Sequence, residues 1–416
     1  MLTRLNSIPR FGLPYTAGDF GTGLMAMFRR VPPPDAFQLL GDSPKFWTRS
    51  GRQALYLLLK GLDLQQGAGV ALPLFTDPSL VGAIAAAGFR PVFIDVDPET
   101  LTMDPESLRA AAGQFSAVVI VHLFGQVADI PRLLAAAGNL PVIEDAAHAP
   151  LSYLNGKMAG EFGVASFYSF ASTKYWPAGG GGLAVVHHPR LARKMTNGTG
   201  EYPAPSRLYE LRMLMMQAAK SIVFSQRLYG VLGKPVRQWV EQLALLEPQL
   251  DRLSIPRSHA AAARRQALRF PMRVERQRAN SLRLLSKLEG VEDITLPRER
   301  SGARYNYHLF PVVLRSTQER SAVIAAMWSK FVDVSTIYSG AVEECKKYGY
   351  SGGCPIAESV VTRLITLPNY AALSNQEIDA VADVFRSSLE TARRSGPRYP
   401  VLTLGVRQPV SSRKIA

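Results

Sequence analysis

The chain has 416 residues, a formal net charge of +15, 47% hydrophobic residues and 19% charged residues. That size and apolar content fit two globular domains with a sizeable core and exclude a disordered chain. Two cysteines, Cys345 and Cys354, are too few for a disulfide framework or a Cys/His zinc site, which fits a reducing cytoplasm. The first ten residues carry no continuous apolar run of the kind a secretory signal needs.

From about Gly51 to Pro189, helical and strand patterns alternate. Periodicity predicts helices over Gln53–Leu62, Pro78–Ala87, Pro105–Ala112 and Ile130–Ala137, with Gly88 placed to cap the second. Between them lie short apolar runs that read as strands: Gly69–Pro73, Pro91–Asp95, Ala117–His122, Pro141–Asp145, Ala165–Ser169 and Leu183–His187. Near-continuous apolar strands separated by helices predict an α/β fold with a mostly parallel sheet covered on both faces. In such sheets functional groups gather at the carboxyl ends of strands, where Asp145 and Ser169 fall.

After Pro189 the character changes. Leu208–Leu232 is apolar and rich in Met, interrupted by Glu210, Arg212, Lys220 and Arg227. Its uncharged run Met213–Ala219 is far shorter than the roughly 20 residues of a spanning helix. Met and Leu at helical spacing read as core or a dimer interface. The flanking cations, with Lys234 and Arg237, also allow a peripheral membrane contact through 208–237. A basic helical stretch runs to about Leu288, followed by strands around Tyr307–Leu314, a helix near Ser321–Phe331 and a closing helix Asn375–Leu389 capped by Ser374. The expected division is a large domain over 1–255, with an apolar helical segment at 208–233, a smaller α/β domain over 256–390, and a loose basic tail over 391–416.

The charge is uneven. Arg264–Arg304 holds eleven basic and five acidic residues, and 391–416 holds six basic residues and no acid. A solvated surface and a basic tail account for this; attraction to a phosphorylated substrate or an anionic membrane is the alternative. No nucleic-acid-binding signature accompanies the charge, so no nucleic-acid partner is expected. No metal site is expected either.

Lys174 sits in Ser169-Phe-Ala-Ser-Thr-Lys174, just before the glycine run Gly179–Gly182 and 29 residues after Asp145. A strand ending in an acid, then a strand leading to a serine and a lysine, can build a pyridoxal phosphate site. The lysine amine can hold the cofactor's aldehyde as a Schiff base, the carboxylate can pair with the pyridinium nitrogen, and the serine can bind the phosphate.

The surrounding words resemble the DegT/DnrJ/EryC1/StrS sugar aminotransferases, a branch of the fold-type I pyridoxal phosphate enzymes, from about Phe46 to Phe385. Thr48-Arg-Ser-Gly51-Arg-Gln-Ala-Leu55 resembles the family's phosphate turn, Ser-Gly-Thr-x-Ala-Leu. Phe89–Asp97 with Leu101–Pro105, Val121–Asp129, Glu144-Asp-Ala-Ala-His148, Phe167–Gly182, Pro355–Glu358 and Leu367-Pro368 match further family segments in order. The resemblance implies a large domain with a seven-stranded, mostly parallel sheet plus a smaller C-terminal domain. It implies that Lys174 is the Schiff-base lysine and proton shuttle, that Asp145 pairs with the pyridine nitrogen, and that His148 lies near the ring's phenolic oxygen. It assigns the phosphate to Ser169 and the amides around Gly51, Arg52 and Gln53, where a helix N-terminus suits an anion. Tyr338 joins Glu210 and Arg212 as a substrate or partner-loop candidate.

Three positions depart from the family pattern. Arg52 replaces a threonine, Asp77 falls where an aromatic ring covers the cofactor, and Glu210 falls where an asparagine reaches the partner subunit's phosphate. Phe75 is the nearest ring that could stack instead. The implied activity is transfer of an amino group, with glutamate as donor, to a keto sugar that is nucleotide-linked, by a cytoplasmic homodimer, at the inner face of the membrane if 208–237 makes the contact. The product would feed polysaccharide or glycolipid synthesis. The departures leave two alternatives: a lipid-linked or cyclitol ketone as acceptor, or a non-catalytic descendant that binds pyridoxal phosphate weakly.

Overall fold

The computed structural model describes residues 2–30, 37–200, 202–237 and 253–395. A seven-stranded sheet is built from β1 (Lys45–Thr48), β2 (Gly69–Pro73), β3 (Arg90–Ile94), β4 (Ala117–Val121), β5 (Val142–Asp145), β8 (Ala165–Ser169) and β9 (Gly182–Val186). The two-residue strands β6 (Tyr153–Leu154) and β7 (Lys157–Met158) form a small hairpin between β5 and β8, to which β10 (Ala303–Arg304) adds antiparallel beside β6. The sheet order is β1-β9-β8-β5-β4-β2-β3, with β9 antiparallel to both its neighbours and the remaining pairs parallel. β2, β4, β5 and β9 are buried at every position, as strands covered on both faces must be.

Helices α1 (Ala17–Ala26), α2 (Gly51–Gly61), α3 (Pro78–Ala86), α4 (Pro105–Ala110), α5 (Ile130–Ala137), α6 (Pro189–Gly200) and α7 (Arg207–Val223) precede α8 (Arg257–Ala267) and α9 (Phe270–Leu288). α2 and α3 start where the sequence supplies a side-chain cap. Ser50 Oγ accepts the Gln53 N–H at 3.2 Å, and Asp77 Oδ1 accepts the Ser79 N–H at 3.0 Å, with Pro78 at the first helical position. Leu55, Leu58 and Leu59 of α2 join Val70, Leu72, Val119 and Ile143 in one core over the sheet. Each such fully buried aliphatic side chain contributes about 2 kcal/mol.

A second core lies in the C-terminal part, where β11 (Phe310–Val313) pairs antiparallel with β12 (Leu364–Leu367) beneath α9, α10 (Thr317–Ser329) and α13 (Asn375–Ser395). Ile8, from the opposite end of the sequence, is buried in it. The short helices α11 (Ala341–Lys346) and α12 (Pro355–Arg363) pack instead against the core of the large sheet.

Several expectations need adjustment. The strand expected over Tyr307–Leu314 is limited to Phe310–Val313, because Tyr307 adopts a φ of +50° and turns the chain before it can pair. The basic stretch is two helices, broken at Leu268–Arg269 just before Pro271. α13 continues through Ser395, five residues into the expected tail, because Ala392 reaches the core and Arg393 Nε pairs with Glu319 at 2.8 Å. The rest of that tail lies outside the described residues. β1 carried no sequence signal; it forms because β9 offers it an edge.

Candidate active site

β5 ends at Asp145 and the adjacent β8 ends at Ser169, so both side chains meet at one end of the sheet. Lys174 lies on the loop joining β8 to β9. That loop returns through Gly179, Gly180 and Gly181 at φ values of +90°, +154° and +102°. A Cβ at Gly182 would stand 2.5 Å from the Ser50 carbonyl carbon and 2.7 Å from the Gly51 nitrogen. Only glycine there lets β9 lie against the start of α2. The glycine run therefore brings the lysine loop and the α2 N-terminus together.

A cleft of about 950 Å³ is lined by Gly51, Arg52, Asp77, Asp145, His148, Ser169, Lys174, His308 and Tyr338, among others. The Lys174 Nζ lies 2.9 Å from His148 Nε2 and 3.9 Å from Asp77 Oδ2. The loop carrying His148 is held by Asn306, whose Nδ2 donates to the carbonyls of His148 and Pro150 at 3.0 and 2.8 Å. His308 meets the His148 ring edge-on at 4.6 Å, and the Tyr338 ring lies parallel to His148 with its hydroxyl 3.5 Å from Nε2.

The electrostatics follow from burial. Burial pushes the Asp145 carboxyl up to about 6; the charge of Lys174 and the Ala147 N–H, donated at 2.9 Å, pull it back. Burial holds the His148 ring well below the ordinary imidazole range and His308 down at about 3, with Lys174 adding to both, so both rings are neutral at pH 7. Burial pushes the Tyr338 hydroxyl well above its usual range, so it stays protonated. Glu144, beside Asp145, serves the frame. It accepts from the amides of Gly160, Phe162 and Gly163 and from His122, which against the cost of burial hold it ionised.

The α2 N-terminus forms the second half of the site. Gly51 opens the helix where a Cβ would stand 3.2 Å from Ser169 Cβ, closer than side chains ordinarily pack, so glycine lets the helix start lie against the end of β8. Arg52 lines the cleft beside them. Gln53 does not reach it. Its N–H goes to Ser50, and its buried side chain accepts from the Arg49 N–H and donates to the Leu253 carbonyl. The sequence word placed Gln53 one residue too far along the helix, after the cap had taken its amide.

Glu210 and Arg212 are not brought to the cleft either. Glu210 is fully buried; its carboxylate accepts from Arg257 at 2.7 Å and from the Ser258 N–H at 3.0 Å, joining α7 to the start of α8. The acid that would have faced a partner's phosphate is instead consumed inside the chain. Glu210→Ala strands a partly buried guanidinium and uncaps α8, which predicts a loss of about 2 kcal/mol, read as a lowered midpoint in urea unfolding. Arg212 is exposed on α7. Phe75 also misses the cleft, since it is buried in the sheet core against Phe124 and edge-on to Tyr338.

The cleft also carries residues that no motif announced. Arg10, Lys234 and Arg237 line it with Asp333, which takes contacts from Lys234 at 3.2 Å and Arg237 at 3.4 Å. They come from three distant parts of the chain, so only the fold assembles them. On α7 and the turn after it, Leu208, Met215, Met216, Ile222, Val231, Leu232 and Val236 are exposed. Among the described residues no helix is long and apolar enough to cross a membrane.

The residues present fit pyridoxal phosphate. A buried carboxylate ends one strand, an amine stands in the same cleft, and a helix N-terminus with a serine beside it lines that cleft too. On this sheet topology, the arrangement defines a pyridoxal phosphate-dependent aminotransferase. The DegT/DnrJ/EryC1/StrS aminotransferase family model matches residues 38–386, and the chain belongs to that family. It is 28% identical to UDP-N-acetyl-3-dehydro-alpha-D-glucosamine 3-aminotransferase of Acidithiobacillus ferrooxidans, over 82% of this chain and 83% of that protein. It is also 28% identical to dTDP-4-dehydro-2,3,6-trideoxy-D-glucose 4-aminotransferase of Saccharopolyspora spinosa, over 84% and 86%. Its fold is similar to a putative sugar aminotransferase of Streptococcus pneumoniae in its PMP form, at a TM-score of 0.74 and 20% identity, covering 92% of this chain and 100% of that one.

Proposed function

We propose that this aminotransferase moves an amino group from glutamate to a nucleotide-linked keto sugar, for polysaccharide or glycolipid synthesis. The observation that carries the reading is one cleft holding Lys174, Asp145 and His148, with a volume of about 950 Å³ that far exceeds an amino acid donor. The two relatives named above, one acting on a UDP-linked and one on a dTDP-linked sugar, support it.

Bound pyridoxal phosphate supplies an electron sink and carries the amino group between donor and acceptor. Lys174 Nζ would hold the cofactor through its aldehyde and, when free, would carry a proton at the substrate carbon. Asp145 would face the pyridine nitrogen and keep it protonated. The N–H groups of Gly51 and Arg52 and the Ser169 hydroxyl would hold the phosphate. Neutral His148 and protonated Tyr338 would orient the ring's phenolic side without adding charge to it.

The same reading includes a two-domain division near residue 255, supported by the separate core around β11 and β12. It includes a homodimer in the cytoplasm, with the exposed apolar side chains of α7 as its contact. Mass-resolved transamination across a panel of UDP-, dTDP- and GDP-linked keto sugars, with glutamate as donor, tests the substrate class. Turnover of free keto acids or cyclitol ketones alone would overturn it. Sedimentation of the native chain as a monomer would remove the dimer, and recovery with liposomes would move the α7 surface to a membrane.

A further inference from the structure

Arg10, Lys234, Arg237 and Asp333 line the cleft as one built cluster. Arg10 belongs to the N-terminal segment, Lys234 and Arg237 to the helical turn after α7, and Asp333 to the segment after α10. Backbone bonds seat the first segment on the last: the Asp333 N–H donates to the Ile8 carbonyl, and the Ile8 N–H to the Phe331 carbonyl, both at 2.9 Å. The Asp333 side chain is 3% exposed; it accepts from the Tyr229 hydroxyl at 2.5 Å and meets Lys234 at 3.2 Å and Arg237 at 3.4 Å. Lys234 Nζ also lies over the Trp328 ring of α10, 3.3 Å from its centre. The fold thus fixes these side chains before any ligand arrives.

The charges lining the cleft divide into two groups. Arg52 and Lys174 are balanced by Asp77 and Asp145. The cluster sets three cations against one carboxylate, a formal excess of two positive charges among the described residues of the cleft. The Lys234 and Arg237 side chains are only 11% and 12% exposed, and taking two cations this far from water has a desolvation cost that one shared carboxylate offsets only in part. Burial pushes the Lys234 ammonium below the usual lysine range; Asp333 pulls it back, and the nearby charges of Arg237 and Arg10 push it down again. An anion seated among the three would reverse that push. The cofactor's own phosphate does not call on them, since it falls to the start of α2 and Ser169.

We propose that Arg10, Lys234 and Arg237 form a subsite for the diphosphate that joins the sugar substrate to its carrier. The inference rests on the reading of the acceptor as a carrier-linked keto sugar. A diphosphate diester has about two negative charges at neutral pH, which matches the excess, and guanidinium forks suit phosphoryl oxygens. The cleft, at about 950 Å³, is near the upper end of ligand sites and leaves room for the cofactor and a diphosphate-linked sugar together. The cluster reads the diphosphate and not what lies beyond it. A nucleoside supplies that chemistry, and so does a prenyl chain, for which Val231, Leu232 and Val236 are exposed on the same turn.

Calorimetric titration of the full chain, in excess pyridoxal phosphate so that the cofactor's place is filled, reads the affinity for inorganic diphosphate, UDP and farnesyl diphosphate. Arg10→Gln and Arg237→Gln come from separate segments, so one remains informative if the other unfolds, which urea unfolding reports. Each is expected to weaken all three probes by about 10–100-fold, the effect of losing a hydrogen bond to a charged group, with partial recovery in Arg237→Lys. In turnover of a nucleotide-linked keto sugar, KM should rise by a similar factor and kcat much less. Equal affinities in wild type and both variants overturn the proposal, as does a wild type that binds none of the probes. UDP binding more tightly than farnesyl diphosphate assigns the carrier as a nucleotide; the reverse order keeps the subsite and makes the carrier a lipid. If nucleotide-linked keto sugars turn over with the same KM in wild type and variants, only the subsite falls. If the variants lose diphosphate binding but no keto sugar is aminated, the subsite stands and the proposed function falls.

Discussion

Lys174→Ala is expected to lower transamination by at least about 10⁴-fold and to abolish covalent capture of the cofactor. Two separate contributions are lost at once. One is the nucleophile that binds the aldehyde; the other is the group that carries a proton to the substrate carbon, and general acid–base catalysis alone contributes about 10²–10⁴-fold. No neighbour replaces it. His148 is the nearest nitrogen, but its neutral ring forms no bond of this kind, and Lys234 and Arg237, which also line the cleft, pair with Asp333. The fold does not depend on this side chain. Its contacts are His148 and Asp77, both of which lose a partner without losing their own anchors. The change in stability is therefore expected within about 1 kcal/mol. Borohydride reduction followed by peptide mapping should place the cofactor's mass on Lys174 in the wild type and nowhere in the variant. A variant turning over near the wild-type rate would remove Lys174 from the chemistry.

The parts of this site that were legible in the sequence are those carried by local words. Asp145 and Ser169 close apolar strands, and Gly179–Gly182 marks a backbone that must bend and approach closely. Strand ends and glycine requirements are properties of a few adjacent residues, so spacing exposes them. The α2 start was legible to one residue. Ser50 is a good cap, but a cap consumes the amide three residues on, which removed Gln53 from the cleft. Glu210 was misplaced for a different reason. Its partner Arg257 is 47 residues away and Ser258 is 48, and nothing local says that α8 begins beside α7. The cluster of Arg10, Lys234, Arg237 and Asp333 was invisible for the same reason, and so was β1, which has too few residues for a periodic signal. His308 sits in a run that read as a plain strand; the positive φ at Tyr307 turns it toward His148 instead.

Asp145→Asn separates function from stability with opposite signs. Asp145 is 7% exposed, and burial raises its carboxyl to about 6, so at pH 7 the fold carries an ionised group that it would rather neutralise. A folded value above the unfolded one means that this group's stability contribution is present at acid pH and is lost as pH rises toward and through about 6. One pH unit corresponds to about 1.4 kcal/mol, so at neutral pH the ionised carboxylate costs the fold on the order of 3 kcal/mol. Asparagine lifts that cost, and its Oδ1 can still accept the Ala147 N–H that Asp145 takes at 2.9 Å. Thermal unfolding of the stripped variant should therefore occur at or above the wild-type temperature at pH 7.

Activity moves the other way. A neutral amide cannot keep the pyridine nitrogen protonated, and without that charge the electron sink fails; a loss of about 10³-fold in turnover is expected. The pH dependence isolates the cause. In wild type below pH 6, Asp145 holds a proton that must leave before it can accept from the pyridinium. Cofactor uptake then releases a proton, and affinity falls by up to about tenfold for each pH unit below that point. Asp145→Asn has no such proton, so its weaker uptake should lack this limb of the pH profile. Cofactor binding followed by fluorescence from pH 8 down to pH 5 reads both slopes. Parallel slopes in the two proteins would mean that another group, and not Asp145, faces the pyridine nitrogen.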